Sequence, residues 1–247
     1  MALGIVLFAL AGLAFGSFGN VLIYRIHSDK PITGRSMCPS CHRTLSWFEL
    51  FPVISFLVLG GTCRTCHHRI SLRYPFVELG SALLFVFAFT LHPADPVAAL
   101  LAAFILYFLF LACVFDATYQ QIPDVFTVFI SIFAAISIVT SGEWVSSVCG
   151  ALVMLAWFGG QWLISRKAVG TGDIFLAAVL GLYLGFRSAV MTIVFSYMAG
   201  AIILVVMILS KKIRLKQQRI AYVPFLALGV LLTLLGVGDA YMRVIGL

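Results

Sequence analysis

Charge is what this sequence has least of. Only 10% of its residues are Asp, Glu, Lys or Arg, and 62% are hydrophobic. A soluble domain carries about 25% charged residues. That difference excludes an ordinary water-soluble domain, and the 247-residue chain is expected to cross a membrane several times. Acid is scarcer still, with nine Asp and Glu against 16 Lys and Arg. The net charge of +7 does not point to nucleic acid, because membrane proteins gather Lys and Arg in the loops of one side. Histidine is confined: four of five lie in or beside residues 25–74, and His92 is expected on the opposite face. No histidine base is therefore placed to activate a Ser or Cys nucleophile. A basic n-region is missing before the first apolar run, so no cleavable signal peptide is expected. Strong internal repeats and low-complexity segments are also missing.

Long apolar runs are what the sequence has in quantity. A span takes about 20 mostly apolar residues. On that criterion eight helices are predicted, over 3–24, 75–92, 97–116, 124–141, 145–165, 173–186, 188–210 and 221–238, with a soft boundary at 186/188. The bases then fall mostly on one face. The 25–74 loop holds Arg25, Lys30, Arg35, Arg43, Arg64, Arg69 and Arg73. Arg166 and Lys167 follow the fifth span, and Lys211, Lys212, Arg214, Lys216 and Arg219 follow the seventh. The positive-inside rule makes that face cytoplasmic and both termini exterior. The expected fold is all-α, a polytopic membrane helix bundle of about eight spans. It divides into a first transmembrane helix (1–24), a cytoplasmic cysteine domain (25–74) and a multi-span domain (75–247).

The cysteine domain carries two C-x-x-C pairs, Cys38/Cys41 and Cys63/Cys66, with 21 residues between them. Four thiolates at such spacing close a tetrahedral zinc shell. A disulfide fits less well in a loop facing a reducing compartment, and a thioredoxin-like redox pair lacks its βαβ setting. His42, His67 and His68 read as exposed loop residues. The apolar stretch 46–60 between the pairs is too short to span, and both its flanks must reach one metal. It is expected to be interfacial or re-entrant. Cys113 and Cys149 read as small buried hydrophobes inside spans.

The scarce acids carry the chemistry. Gly170-Thr171-Gly172-Asp173 opens an apolar run, and a charge inside a span costs about 2.5–3.5 kcal/mol at a helix centre and less near its end. Asp173 is thus a functional candidate, with a helix N-cap as the competing reading. Asp116, Asp124 and Glu78 are expected at the same cytoplasmic level. Two carboxylates sharing one proton form an acid/base pair: the ionised one activates water, the protonated one hydrogen-bonds a scissile carbonyl. Asp124 follows Pro123 at a helix start and has a capping explanation. Asp116 closes an apolar helix, where negative charge opposes the macrodipole, and is the favoured partner of Asp173. Glu78 also has a plain reading, an interfacial pair with Arg73. A transporter with interfacial acids and a membrane thiol redox protein are the competing function classes.

These residues carry a resemblance. Gly16-Ser-Phe-Gly-Asn-Val-Leu-Ile-Tyr-Arg25, the two C-x-x-C pairs, Arg73-Tyr-Pro-Phe-Val-Glu78, Phe115-Asp-Ala-Thr-Tyr-Gln-Gln-Ile-Pro-Asp124, Gly170-Thr-Gly-Asp173 and Val223-Pro-Phe-Leu-Ala-Leu-Gly229 follow one another in the order of the bacterial type IV prepilin peptidase family. Those enzymes are membrane aspartic proteases with a G-x-G-D motif. The resemblance implies Asp116 and Asp173 as catalytic acids, with Gly170, Gly172 and Glu78 supporting substrate or loop. It implies removal of a short basic leader, after Gly, from type IV prepilins or type II secretion pseudopilins, at the cytoplasmic side of the bacterial inner membrane. Members with the cysteine loop also N-methylate the new terminus with S-adenosylmethionine. No soluble methyltransferase fold is visible here, so that half rests on the resemblance alone. Two departures stand out: Phe175 where the family often has Lys, and Gly19-Asn20 where it has Leu or Val before Asn.

Overall fold

A computed structural model describes residues 1–164, 170–210 and 221–236. The bases Arg166, Lys167, Lys211 to Arg219 and Arg243 lie outside the described residues, as do the last residues of the eighth predicted span. The described residues are all-helical: α1 Ala2–His27, α2 Ile54–Val58, α3 Arg73–Leu91, α4 Pro96–Tyr119, α5 Asp124–Ser141, α6 Trp144–Ile164, α7 Thr171–Leu209 and α8 Val223–Leu234. Among the described residues six helices (α1 and α3 to α7) are long and apolar enough to cross a membrane. The chain separates into two compact units, 1–107 and 108–247.

In the first unit α1 and α3 run antiparallel in close contact. Gly4 faces the Phe89 ring, Gly12 faces Ala82, and Gly16 faces Glu78. A methyl group on Gly16 would stand 2.6 Å from the Glu78 Cα, so the backbones approach only because the side chain is missing. Gly12 and Gly16 form the G-x-x-x-G pattern typical of such membrane contacts. Asn20 Nδ2 adds a polar tie by donating to the Tyr74 carbonyl at 3.0 Å. Deeper in, Phe15, Phe85, Phe104 and Tyr107 pack ring on ring, and the Tyr107 hydroxyl donates to the Phe15 carbonyl at 2.7 Å.

The loop after α1 is wound around Arg25. This buried guanidinium donates to the carbonyls of Pro31, Ile32, Gly34 and Arg35. The stretch 46–60 does not span, as its length predicted. It forms a 3₁₀ turn, Trp47–Leu50, and the five-residue α2. Trp47, Ile54, Leu57 and Val58 are left exposed along it.

In the second unit the soft boundary between the sixth and seventh predicted spans has a definite form. α7 is 39 residues long, about 58 Å if straight, nearly twice the ~30 Å hydrocarbon core. It is not straight. Gly185 has φ 75° and ψ 173°, a conformation open to glycine alone. Before it, Gly181 packs on Gly150 and Met154, and Gly185 on Ser146. After it, Tyr197 donates to Gln161 Oε1 at 2.7 Å and its ring meets Trp157. The chain thus runs antiparallel to α6 up to Gly185 and parallel to it afterwards. The two arms, 171–184 and 186–209, are the sixth and seventh predicted segments, with α8 as the eighth. α4 continues one turn beyond the predicted end at 116, so Asp116 lies inside its last turn instead of closing it.

Candidate active site and metal centre

Asp116 and Asp173 both belong to the second unit. Asp116 is 6% exposed. Its Oδ2 accepts the Val223 N–H at 3.1 Å, so the carboxylate satisfies an orphan amide at the start of α8, where the macrodipole is positive. Asp173 is half-buried. It is not the N-cap of α7, because Gly170 holds that position. Asp173 lies in the first turn, and its Oδ2 accepts the Gly170 N–H at 3.0 Å. That bond engages one oxygen and explains the carboxylate's orientation. The Asp173 charge acts on Asp116.

The backbone beside Asp173 does not require glycine for a sharp turn. Gly170 has φ −74° and ψ 152°, ordinary extended values. The tight neighbour is the acid itself: a methyl on Gly170 would stand 3.1 Å from Asp173 Oδ2. Gly172 faces Ile122, where a methyl would have normal contact at 3.6 Å. Asp124, the discarded alternative, is the exposed first residue of α5 and directly follows Pro123, which holds the N-cap.

Tyr222 was not singled out from sequence. Its ring packs on Phe158 at 5.4 Å and near Tyr197 and Phe225, and its hydroxyl senses the Asp173 charge. Only the neighbouring Val223–Gly229 motif hinted that this helix start belongs to the acid site.

Glu78 and Glu49 lie in the first unit. Glu78 is 7% exposed. It accepts the Val53 N–H at 2.7 Å instead of pairing with Arg73. Val53 itself has φ 61° and ψ −47°, and the Ile54 N–H reaches the Pro52 carbonyl across it at 2.5 Å. That is a γ-turn of the rare, strained hand, at a β-branched residue. Glu49 is consumed by the loop: Arg43 grips it bidentately at 2.6 and 3.0 Å, and the Ser46 N–H adds 2.8 Å. The Arg43 guanidinium, aided by that amide and opposed by burial, holds the Glu49 carboxyl down at about 2.

The four cysteines converge. Their Sγ atoms all lie within 4.8 Å of one another, with Cys38 and Cys66 at 3.8 Å. Four sulfurs at about 2.3 Å from a tetrahedral zinc stand about 3.8 Å apart, so the cluster fits that ion with little adjustment. The two halves are alike. Cys38 N–H reaches the Arg43 carbonyl and Cys63 N–H the His68 carbonyl, both at 2.9 Å; His42 N–H returns to Cys38 and His67 N–H to Cys63, both at 3.0 Å. His42 and His67 have φ 56° and 54°, in the left-handed region that histidine tolerates better than most side chains. They are turn-makers instead of idle loop residues. Amides of Cys66 and Thr65 aimed at Cys63 bring its thiol down to about 6. At Cys41 the Arg43 amide works the same way, but burial and the neighbouring thiols outweigh it and push the thiol up to about 11. A cluster without a cation thus resists a full set of thiolates.

The model of the bacterial peptidase A24 N-terminal domain matches residues 10–92, and that of the type IV leader peptidase family matches 103–205. A Bacillus subtilis (strain 168) protein, prepilin leader peptidase/N-methyltransferase, is 33% identical over 234 residues, covering 91% of each chain. The chain belongs to the type IV leader peptidase family. A second member, the type 4 prepilin-like proteins leader peptide-processing enzyme of Escherichia coli O78:H11, is 35% identical over 208 residues, covering 73% of this chain and 77% of its own. A third leader peptidase/N-methyltransferase, from Aeromonas salmonicida (strain A449), is 31% identical over 271 residues, covering 95% and 91%. No solved structure matches. Membership makes the chain an enzyme, a multi-pass membrane peptidase with a cysteine centre able to hold a metal ion.

Proposed function

We propose that the protein is an aspartic endopeptidase of the bacterial inner membrane, acting through Asp116 and Asp173 on its cytoplasmic side. Its substrates are type IV prepilins or type II secretion pseudopilins, from which it removes the short basic leader after Gly. The observation that supports this reading is that two shielded carboxylates from different helices belong to one unit, with the Asp173 charge acting on Asp116. The pair shares one proton. The ionised carboxylate takes a proton from water, and the resulting nucleophile attacks the scissile carbonyl. The protonated carboxyl donates to the developing oxyanion, then the proton passes to the leaving amine. Gly170 and Gly172 leave room beside Asp173 for an extended substrate backbone, and Glu78 supports the loop by holding the Val53 turn.

The working division is an anchor helix (1–24), a zinc-bound cysteine domain (25–74) and the peptidase domain (75–247). Zinc on Cys38, Cys41, Cys63 and Cys66 ties the apolar stretch 46–60 into one folded loop. The names of the relatives support a second activity, N-methylation of the new terminus. S-adenosylmethionine supplies the methyl group in such a transfer.

The test is incubation of purified protein with a prepilin, followed by mass measurement. A product lacking the leader is expected from the wild type, and none from Asp116→Asn or Asp173→Asn, both still inserted. Normal processing by either variant would break the assignment.

A further inference from the structure

The stretch after the first cysteine pair turns an apolar face outward. Trp47, Phe51 and Ile54 are exposed, Leu57 is 69% exposed and Val58 79%. A patch of that kind marks an interaction surface. Length alone left this stretch interfacial or re-entrant, and a contact with α3 decides between them. The Val53 N–H donates to the Glu78 carboxylate at 2.7 Å. α3 begins at Arg73, so the Glu78 Cα lies about 7.5 Å along the helix from its start. At that level α3 already presents apolar side chains outward. Phe76, Leu79 and Leu83, spaced for one helix face, are all exposed. On α1, Gly16 faces Glu78, and Phe18 beside it is exposed. The head of α2 therefore stands beside the lipid-facing part of two spanning helices instead of above it.

Irregular backbone at membrane depth is tolerated only where protein satisfies its polar groups. Here protein does so. The Val53 N–H goes to a buried carboxylate. The N–H groups of Ile54, Ser55, Leu57, Leu59, Gly60 and Gly61 all reach carbonyls of residues 51–57. A loop facing water has no need of such closure. It also gives the strained turn at Val53 a use, which is to reverse the chain in few residues without an open amide. The charges fit the same picture. Between α1 and α3 the exposed Lys and Arg are Lys30, Arg35, Arg64 and Arg69, against one exposed acid, Asp29. Glu49 is spent on Arg43. Arg64 lies over the Phe48 ring at 5.5 Å, so base and aromatic stand together at the rim. An apolar tip with a basic rim suits acyl chains beneath anionic headgroups.

We propose that Trp47–Leu50 and α2 form a re-entrant wedge in the leaflet that holds the start of α3. Ile54, Leu57 and Val58 lie among the acyl chains, and the exposed bases of the loop lie on anionic headgroups. Glu78 is a positioning residue, the pin that sets the depth of the wedge. The cysteine centre is thereby tied to the membrane by its two flanking helices and by its own insert. The inference needs neither the acid pair nor methyl transfer. It uses only the membrane passage of α1 and α3.

Indole fluorescence tests the depth. The full-length protein is reconstituted in vesicles of phosphatidylglycerol and phosphatidylcholine, with or without bromine near the top of the acyl chains. Leu57→Trp is made in a Trp47→Phe parent, and the difference from that parent reports the one added indole. Bromine is expected to quench that difference at least about twofold and aqueous acrylamide hardly at all, since such elements sink about 5–10 Å into the headgroup boundary. Thr33→Trp, in the exposed turn around Arg25, is the control, expected to be quenched by acrylamide and spared by bromine. Acrylamide quenching of the indole at position 57 would overturn the wedge. Protection from both quenchers would overturn it too, because a protein surface would then cover the face. Bromine quenching at position 33 as well would sink the whole loop and leave no wedge. Should Leu57→Trp fail to fold, Val58→Trp takes its place. Glu78→Leu removes the acceptor for Val53, and Glu78→Gln keeps one. The first is expected to lose at least about half of the bromine quenching and the second to retain it. Equal quenching in the two would overturn the pin.

Discussion

Gly185→Ala is the sharpest perturbation of the fold. The residue sits at φ 75°, ψ 173°, where a side chain costs about 1–3 kcal/mol. The added Cβ would stand 2.6 Å from Ser146 Oγ. That hydroxyl accepts the Phe186 N–H at 3.3 Å, so it cannot rotate away without loss, and overpacking adds about 1–3 kcal/mol. The sum is about 2–6 kcal/mol. In a chain of this size each kcal/mol moves the midpoint by roughly 2–4 °C, so unfolding in micelles should fall by at least about 4 °C. Gly159→Ala is the control. Gly159 lies inside α6 with open space where its Cβ would point, so the same substitution should stabilise by up to about 1 kcal/mol. A Gly185→Ala protein as stable as wild type, or two variants equally destabilised, would refute the reversal of α7.

Three further outcomes are expected. Purified protein should carry one zinc per chain by elemental analysis, lost in Cys38→Ser or Cys63→Ser and released on acidification as thiolates protonate; metal-free wild type would count against the centre. Asp124→Asn should process a prepilin nearly as wild type, whereas Asp116→Asn should lose a factor of about 10²–10⁴ or more; the reverse order would move the acid pair. Glu49 lies at about 2, below its ordinary 4.5, so its bond to Arg43 stabilises the loop fully above about pH 4.5 and ceases to as pH falls toward 2. The melting difference between wild type and Glu49→Gln should therefore be constant from pH 7 to about 5 and close below that. A difference persisting unchanged at pH 2 would show that the pair contributes nothing through charge.

The helical, multi-span character was legible because hydropathy alone decides it, and most predicted spans match helices to within a few residues. The Gly185 reversal was not. Both its flanks are apolar and the chain has 21 glycines, so only backbone geometry shows which one turns the chain. The cysteine cluster was legible because its spacing is local. The role of His42 and His67 was hidden, since a positive φ leaves no mark on composition. Asp116 and Asp173 stood out as costly acids in apolar surroundings. What Asp116 holds, the amide at the head of α8, depends on a contact between distant residues that no local pattern encodes. Nothing in the sequence around Glu49 shows what it binds. Its capture by Arg43 is a matter of two side chains happening to face one another across a turn.

The twin cysteine turns leave the chain between them unusually free. Each turn closes its own hydrogen bonds within a few residues, so neither depends on the length of what joins them. Lengthening the connector raises the entropy of closure only logarithmically. Residues 54–60 can therefore be exchanged or extended while the metal shell persists, provided Glu49 keeps Arg43 and Val53 keeps Glu78. Evolution could refit this short apolar segment to another bilayer by editing one insert, and a protein engineer could do the same.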